Sequence, residues 1–347
     1  MKVGILTGGG DCPGLNPAIR GVVYRGLDFG FDFVGIQEGW RGLVRGIYEP
    51  LTLASVEEII TEGGTILGSS RTNPFKKKDG PNEELDATLR NIREAGFDAI
   101  VACGGEDTLG VAAKLYTQHG VPTVGVPKTM DNDLNLTDFT FGFDTAATVG
   151  MEALDRLRDT ARSHRRVMVL EVMGRHAGWV ALYVGLAGGA DWITLPEQPL
   201  DLGAMCAHLQ AVKARGKKYA LVVASEGTEL PVATGGEAQK RDAFGHVILG
   251  DRNVGEFLAD EIEKRTGWET RSAVVGHVHR GGSPSLFDRV LGMRVGVKAA
   301  ELVRDREFGK MVALQGTEVV GVPIEQAVAR LKTVPPALLD LAKTTFK

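Results

Sequence analysis

The sequence predicts an α/β fold with mainly parallel sheets, and three observations lead to that prediction. Apolar, strand-like runs alternate with helix-like segments along nearly all of the 347 residues, which is the pattern of successive βαβ units. Glycine is abundant, with 46 residues, as expected where many strands turn into helices. The hydrophobic fraction of 43% indicates a folded chain whose core suffices for one large or two ordinary domains.

The individual elements follow from the spacing of apolar residues. Short apolar runs bounded by polar residues or glycine indicate strands, whereas the i, i+4, i+7 spacing of Leu85, Leu89 and Ile92 indicates a helix. The predicted strands are residues 2–6, 31–36, 99–103, 121–126, 166–172, 219–224 and 271–276, with two short strands within 311–322. The predicted helices are residues 16–29, 81–95, 108–119, 144–164, 178–188, 252–265 and 284–305.

Two segments interrupt this alternation. Residues 135–141 break the rhythm, which divides the chain into two α/β domains that we expect to face one another. Residues 230–245 are polar and glycine-rich without periodicity, which predicts a surface excursion.

Composition and charge limit the partners of this chain. A formal net charge of −4 gives no reason to expect nucleic acid, and three cysteines do not make a disulfide framework. The chain enters a strand at once without a basic leader, and its longest uncharged stretch, residues 177–190, is too short and too glycine-rich to span a bilayer. We therefore expect a cytoplasmic protein that binds neither nucleic acid nor a membrane.

The most informative loop, residues 104–108, follows a predicted strand directly. Open α/β sheets bind ligands at the carboxyl ends of their strands, and Gly105 permits the backbone to approach a phosphate there. Glu106 and Asp107 offer carboxylates to Mg²⁺, which binds few carboxylates together with phosphate oxygens and water. The alternative is that both residues only favour the dipole of the following helix.

A second loop, residues 127–133, also follows a predicted strand and carries a lysine, a hydroxyl and two aspartates. Lys128 supplies a cation, and an aspartate supplies a base for an attacking sugar hydroxyl. An ordinary turn, which also uses aspartate and asparagine, is the alternative. Together with residues 104–108, this loop supplies the parts of a phosphoryl-transfer site.

Two glycine-rich loops offer further phosphate contacts. Residues 7–14 follow the first strand and open a helix, so their amides favour an anion, but their spacing matches neither a P-loop nor a dinucleotide-binding fingerprint. A tight strand-to-helix turn is the alternative. Residues 63–71 form a second such loop that ends in Arg71. The guanidinium of this residue can bridge two phosphates while negative charge shifts from one to the other. The alternative is an arginine exposed on the surface.

Another group of residues falls at or just after predicted strand ends, where arginine and histidine suit a sugar phosphate. Each has a structural alternative, such as an interface salt bridge for Arg271 or a core position for His277. Their common location favours the functional interpretation. The group comprises Met173, Gly174, Arg175, Glu226, Arg271, His277, Val278, His279 and Arg280.

In this order, these segments resemble the phosphofructokinase family over residues 1–332, and most closely its actinobacterial-type group of ATP-using and pyrophosphate-using enzymes. The motifs that carry the resemblance are GGGDCPGLN (8–16), GSSR (68–71), PKTMDND (127–133), EVMGRHAG (171–178) and GHVHRGGSP (276–284).

The resemblance implies two similar three-layer α/β domains with the active site in the cleft between them. It assigns the phosphoryl donor and Mg²⁺ to residues 1–142 plus 253–310. It assigns the sugar phosphate to residues 143–252 plus 311–347.

The resemblance also implies a role for each site residue. Asp131 matches the proton acceptor for the 1-hydroxyl of fructose 6-phosphate, Arg71 the transition-state arginine and Glu106 the Mg²⁺ ligand, and Lys128 and Thr129 complete the catalytic set. The donor side is Gly9, Gly10, Gly105, Asp107 and Lys128. The sugar-phosphate side is Thr129, Met130, Asp131, Asp133, Arg166, Met173, Gly174, Arg175, Glu226, Arg271, His277, Val278, His279 and Arg280. Arg166 and Arg271 match arginines that reach a neighbouring subunit's site, which implies a homodimer or homotetramer.

Two residues indicate the phosphoryl donor. ATP-dependent members typically carry glycine where this chain has Asp107, and an aspartate there occupies the space of the α-phosphate and places negative charge against it. Pyrophosphate ends at its second phosphorus and avoids this conflict, and Lys128 neutralises charge on the transferred group. We therefore expect reversible transfer from pyrophosphate to fructose 6-phosphate. The alternatives are an ATP-dependent 6-phosphofructokinase, a lipid or NAD kinase and, from another class, a non-catalytic phosphosugar sensor.

Three positions depart from the family pattern. Glu106 stands where many relatives have aspartate, and His279 stands where glutamine is usual and affects which sugars are tolerated. Tyr24 replaces an effector-site arginine, which argues against regulation by ADP or phosphoenolpyruvate. Whether Trp40 and residues 72–75 retain part of a nucleotide pocket stays open.

Overall fold

The computed structural model describes residues 1–77, 80–231 and 253–346, so residues 232–245 of the predicted surface excursion lie outside the described residues. The strands are β1 (Lys2–Thr7), β2 (Asp32–Ile36), β3 (Tyr48–Leu51), β4 (Ala99–Gly104), β5 (Thr123–Pro127), β6 (Val167–Val172), β7 (Trp192–Thr194), β8 (Ala220–Ser225), β9 (Thr270–Val274), β10 (Lys310–Gln315) and β11 (Glu318–Pro323). The α-helices are α1 (Leu15–Asp28), α2 (Trp40–Arg45), α3 (Leu53–Val56), α4 (Glu83–Ala95), α5 (Glu106–His119), α6 (Phe143–His164), α7 (Trp179–Ala187), α8 (Leu202–Ala214), α9 (Val254–Thr266), α10 (Leu286–Arg304), α11 (Ile324–Val328) and α12 (Pro336–Thr345). Short 3₁₀ turns occupy Ile59–Thr61 and Gly276–Arg280.

The larger sheet has the strand order β11-β10-β5-β4-β1-β2-β3 and is parallel except at its two ends. Successive residues of β1 face opposite sides of this sheet. Ile5 lies in one cluster of buried side chains with Ile19 of α1, and Leu6 lies in another with Leu109 of α5. Helices therefore cover both faces, which is why the inner strands are continuous apolar runs.

The smaller sheet has the order β7-β8-β6-β9, and its neighbouring strands are parallel. Leu170 of β6 lies in a buried cluster with Val180 of α7, and the adjacent Val169 lies in a different cluster with Leu258 of α9. This sheet is therefore also the middle of three layers. The predicted α/β class with two sheet-based domains is confirmed.

The domain boundaries differ from the predicted ones in two places. Residues 253–310 were predicted to join the first domain, yet β9 pairs with β6 and α9 packs on both strands, so residues 254–274 belong to the smaller sheet. Residues 311–347 were predicted to join the second domain, yet β10 pairs with β5 and brings β11 into the larger sheet. Helix α10 packs on α1, and α12 packs on α7. The predicted boundaries came from the resemblance, and the strand pairing of this chain places these two segments differently.

The structure adds elements that periodicity did not indicate. The edge strand β3 contains Pro50, which lacks the N–H of a central strand and is tolerated at an edge. Helix α5 begins at Glu106, two residues before its predicted start, so both of its leading carboxylates lie in the first turn.

Candidate active site

A cavity of about 360 Å³ opens between the two sheets, at the carboxyl ends of β1, β4, β5, β6 and β8. This is the place at which parallel α/β sheets bind ligands, because the loops that follow the strands converge there. The sequence-predicted residues that line it are Gly9, Gly10, Arg71, Gly105, Glu106, Asp107, Lys128, Thr129, Met130, Asp131, Asp133, Met173, Arg175, Glu226, His277 and Arg280.

Five predicted residues do not line this cavity. Three of them are sequence neighbours of residues that do line it. Gly174 accepts a hydrogen bond from Ser225 at its carbonyl oxygen, Val278 is 68% exposed, and His279 is fully buried. The turn at Gly276–Arg280 has three residues per turn, so His277 and Arg280 share a face while the two residues between them point elsewhere.

The remaining two residues, Arg166 and Arg271, lie at the start of β6 and on β9. Both form ion pairs with Glu269, at 3.3 Å and 3.1 Å. Within this single chain they therefore face the surface near the edge strand β9, away from the cavity.

His279 occupies a core position. Its Nδ1 lies 2.8 Å from the carbonyl oxygen of Ala146 in α6, and burial lowers its pKa to about 4. The ring is consequently neutral at physiological pH, and it packs beside Gly150, where an added Cβ would come within 3.0 Å of it.

The glycine loop after β1 is held by two cations. Lys128 donates from Nζ to the carbonyl oxygen of Gly10, and Arg280 donates from Nη1 to the carbonyl oxygen of Asp11 at 2.8 Å. A Cβ at Gly10 would lie 2.6 Å from that guanidinium nitrogen, so only glycine permits this approach without displacement. Gly9 has φ +80°, a left-handed conformation that also favours glycine.

Glu106 and Asp107 lie in the first turn of α5 and also line the cavity. The helix-dipole interpretation and the binding interpretation are therefore compatible, because the first turn of the helix, where its dipole favours negative charge, lines the cavity. Among the described residues, no group of three or more histidine, cysteine or acidic side chains forms a metal cage. A single carboxylate at Glu106 fits Mg²⁺, which keeps water and takes phosphate oxygens from its substrates.

Asp131 follows β5 and is partly exposed where it lines the cavity, while its Oδ1 is buried and has no hydrogen-bond partner among the described residues. Burial raises the pKa of this carboxyl, while the positive charges of Arg280, Arg175 and Lys128 oppose that rise. A carboxylate that lines a cavity and has a raised pKa is suited to receive a substrate proton.

The neighbours of Asp131 also have shifted pKa values. Burial, with the charge of Asp131 as the next cause, raises the pKa of Asp133 to about 7. Burial lowers the pKa of Lys128 because its ammonium loses hydration, and a bound phosphate would favour the charged form.

Glu226 marks the side of the cavity formed by the smaller sheet. Its Oε1 accepts from the backbone N–H of Gly174 at 3.4 Å, and burial raises its pKa, with Asp131 as the next cause. Gly174 has φ +141°, and Ser225 donates to its carbonyl oxygen at 2.6 Å. These contacts fix the turn that carries Met173 and Arg175 into the cavity.

Sequence reasoning missed three residues that line the cavity, Thr108, His176 and Leu331. His176 lies within the EVMGRHAG motif beside Arg175, so the motif held a signal for it. Leu331 reaches the cavity through a bridge to Leu134 that no local pattern announces.

A second cavity of about 580 Å³ adjoins the first, and the two share Glu106 and Asp107. Phe75 and Lys114 line it, with the ammonium 5.5 Å from the centre of the ring. Trp40 does not line it, because that side chain is buried and donates to the carbonyl oxygen of Thr108 at 3.3 Å. Two parts of the chain were considered as remnants of a nucleotide pocket. Residues within 72–75 line the second cavity, and Trp40 does not.

Comparisons with known proteins agree with this arrangement. The family model described as phosphofructokinase matches residues 2–303. The chain is 51% identical to a pyrophosphate–fructose 6-phosphate 1-phosphotransferase of Dictyoglomus thermophilum, over 100% of this chain and 99% of that protein. It is 47% identical to ATP-dependent 6-phosphofructokinase 3 of Streptomyces coelicolor, over 97% of each.

Among solved structures, the phosphofructokinase of Pichia pastoris in the T-state superimposes with a TM-score of 0.81 at 29% identity. That match covers 99% of this chain and 38% of the yeast chain. Within the described residues, no helix combines the length and the apolar character needed to cross a membrane.

Proposed function

The chain belongs to the phosphofructokinase family, and from that premise we propose that it transfers a phosphoryl group reversibly from pyrophosphate to the 1-hydroxyl of fructose 6-phosphate. The products are fructose 1,6-bisphosphate and phosphate, and the reaction serves glycolysis in one direction and gluconeogenesis in the other. The observation that carries the proposal is the Asp131 carboxylate lining a cavity that is bounded by glycine loops on one side and sugar-binding candidates on the other.

In this mechanism Asp131 accepts the proton of the 1-hydroxyl as its oxygen attacks phosphorus. The raised pKa of this carboxyl supports the role, since a base is most effective when its pKa approaches the operating pH. Thr129 holds the loop, because its Oγ1 accepts from the backbone N–H of Asp131 at 3.1 Å.

The transferred phosphoryl group lies between the glycine loop and the cations in this proposal. Lys128 and Arg71 offset the negative charge that develops on its oxygens, and Gly9 and Gly10 let the donor approach the backbone. Mg²⁺, when held by Glu106, neutralises phosphate charge. The sugar phosphate is bound by residues that follow strands of both sheets. These residues are Met130, Asp133, Met173, Arg175, Glu226, His277 and Arg280. Gly174 positions Glu226 by donating its backbone N–H to that carboxylate.

Asp107 selects the donor in this proposal. Its carboxylate lies on the boundary between the two cavities, where a nucleotide bound across both would have to place its α-phosphate. Repulsion of that phosphate favours pyrophosphate, which needs only the first cavity. The second cavity is the observation that favours the alternative, an ATP-dependent 6-phosphofructokinase.

Initial rates with fructose 6-phosphate and Mg²⁺ test this proposal directly, with pyrophosphate or ATP as the donor. Turnover with pyrophosphate alone is expected. Turnover with ATP alone would retain the family and overturn the role given to Asp107.

We extend the proposal to a homodimer or homotetramer in which Arg166 and Arg271 serve the neighbouring active site. The edge strand β9 carries Val274, which is 61% exposed, and Leu286 at the start of α10 is 81% exposed. Exposed apolar side chains, together with a strand that lies at the sheet edge within the described residues, support association with a second copy.

Mixed oligomers provide the test. Arg271→Ala and Asp131→Ala each inactivate the protein alone, but a mixture of the two contains sites that combine an intact Asp131 with an intact partner arginine. Recovered activity on mixing is expected, and a mixture as inactive as its components would contradict the shared site.

A further inference from the structure

Lys332 lies just after α11 and does not line the cavity, but it contacts the loop that carries Asp131. This loop connects β5 to α6 and has an irregular backbone. Asn132 has φ +51° and Leu136 has φ +63°, and both are left-handed conformations that cost free energy for residues with a Cβ. A conformation of this kind persists only when surrounding contacts determine it.

The side chain of Asn132 supplies part of that support. It is fully buried, its Oδ1 accepts from the backbone N–H of Thr140 at 3.1 Å, and its Nδ2 donates to the carbonyl oxygen of Asp138 at 3.3 Å. The loop is thus closed around the residue that immediately follows Asp131.

The ammonium of Lys332 completes this closure. Its Nζ donates to Asn132 Oδ1 at 3.0 Å, to the carbonyl oxygen of Thr137 at 2.8 Å and to that of Asp138 at 2.9 Å. An ammonium has three protons, so all of them are used on this one loop. The backbone N–H of Lys332 also donates to the carbonyl oxygen of Asp133 at 2.7 Å, so Lys332 contacts the loop at Asn132 and at three residues that follow it.

The smaller-sheet domain holds Lys332 in place. The indole nitrogen of Trp179 donates to the Lys332 carbonyl oxygen at 2.8 Å, and the indole ring lies 5.2 Å from its ammonium. Glu197 accepts from the backbone N–H groups of Gly178 at 2.9 Å and of Val334 at 3.0 Å, which fixes the segment that follows Lys332.

We propose that Lys332 is a positioning residue whose charged ammonium fixes the turn at Asn132 and thereby aims the Asp131 carboxylate at the 1-hydroxyl. This inference rests on the proposed function, since it concerns the same proton transfer. A neutral side chain of similar length would leave the Asn132 oxygen and two carbonyl oxygens without this donor. The loop would then relax, and misplacement of a catalytic group by about 1 Å can reduce the rate about 100-fold.

The geometry has a consequence for pH. Burial lowers the pKa of Lys332 to about 8, opposed by the negative charges of Asp138 and Asp133, while the ring of Trp179 and the carboxylate of Glu197 lie on the other side of the segment. The charge that holds the loop is therefore half lost at about pH 8 and nearly all lost about one pH unit higher, so kcat is expected to fall as the pH rises through about 8.

The experiment compares Lys332→Met with Lys332→Arg and with Lys217→Met as a matched control. Lys217 is also half-buried, but it is ion-paired with Asp191 at 2.7 Å and lies in the smaller-sheet domain away from the loop. Lys332→Met is expected to lower kcat roughly 10–100-fold with a much smaller change in the KM for fructose 6-phosphate, and Lys217→Met is expected to leave both unchanged.

Two readouts separate positioning from a merely structural role. Lys332→Arg retains its charge at all working pH values, so it is expected to recover at least about tenfold in kcat over Lys332→Met and to lose the decline above pH 8. The backbone amide of Thr140 is expected to exchange its hydrogen at least about tenfold faster in Lys332→Met and at an unchanged rate in Lys217→Met.

Several results would overturn the inference. These are an unchanged kcat in Lys332→Met, no recovery in Lys332→Arg, or a decline above pH 8 that persists in Lys332→Met and therefore belongs to another group such as Lys128. The wild-type rate with pyrophosphate is measured first. Its absence would contradict the proposed function itself, whereas a normal wild-type rate with an unaffected Lys332→Met would contradict only the role of Lys332.

Discussion

Replacing Asp131 with asparagine tests the centre of the proposed mechanism, because it removes a base and a buried charge at once. A positioned base contributes about 10²- to 10⁴-fold to such a proton transfer, so kcat is expected to fall by that factor, equivalent to about 3–5 kcal/mol. The KM and dissociation constant for fructose 6-phosphate are expected to change little, because Glu226, His277, Arg280 and Arg175 remain in the cavity.

The same substitution has an opposite effect on stability. The Oδ1 atom of Asp131 is buried without a partner among the described residues, and burial raises the pKa of the carboxyl above its unfolded value. A carboxyl of this kind binds its proton more tightly in the folded state, so the free energy of unfolding decreases as pH rises above the unfolded pKa. Asparagine cannot ionise, so we expect Asp131→Asn to be more stable by about 1–3 kcal/mol at pH 8, with the gain disappearing near pH 4.

The assay combines kcat and KM with pyrophosphate, calorimetric titration with fructose 6-phosphate, and urea unfolding at pH 4 and pH 8. Asp191→Asn is the matched control, because Asp191 is also buried but is paired with Lys217 at 2.7 Å and accepts from the N–H of Leu221 at 2.9 Å. That control is expected to lose stability and keep its kcat. A kcat of Asp131→Asn within about threefold of wild type would refute its role as the base, and a loss of stability at pH 8 would refute the argument from its unpaired oxygen.

Three further substitutions test other parts of the site. Asp107→Gly removes the charge between the two cavities and is expected to create measurable turnover with ATP, and donor assays that show no ATP use would contradict the steric and electrostatic argument. Gly10→Ala places a Cβ 2.6 Å from the Arg280 guanidinium and displaces that flexible side chain. The KM for fructose 6-phosphate is therefore expected to rise about tenfold, while the free energy of urea unfolding changes by less than about 1 kcal/mol. An unchanged KM would show that Arg280 does not hold the substrate. Burial raises the pKa of Asp133 to about 7, so this group is expected to lower the wild-type free energy of unfolding by at most about 4 kcal/mol between pH 4 and pH 7. Asp133→Asn is expected to flatten that part of the profile of unfolding free energy against pH. A mutant profile identical to that of the wild type would contradict this role of Asp133.

The sequence was sufficient for the elements and for much of the cavity. Strands such as Ala99–Gly104 are buried on both faces and so read as continuous apolar runs, and the polar loops that follow them are recognisable because the apolar pattern stops there. Since the carboxyl ends of parallel strands meet at one edge, the loops after β1, β4 and β5 could be expected to converge.

Some placements could not be read from local patterns. The motif at 276–284 does not reveal that its short 3₁₀ turn points His277 and Arg280 to the cavity and His279 into the core, because that depends on where the turn packs against α6. Lys332 carries no local signal at all, since its three acceptors lie 194 to 200 residues earlier in the chain.

The sequence by itself thus determined the α/β class, the positions of most strands and helices, and the chemistry of the loops at the strand ends, because each depends on residues close together in the chain. Only the tertiary structure decided that β9 joins the smaller sheet and β10 the larger, that Asp107 lines two cavities, and that Asp131 Oδ1 has no hydrogen-bond partner among the described residues. These features depend on which surfaces meet when the two sheets pack, and side-chain burial and hydrogen bonding are settled only at that stage.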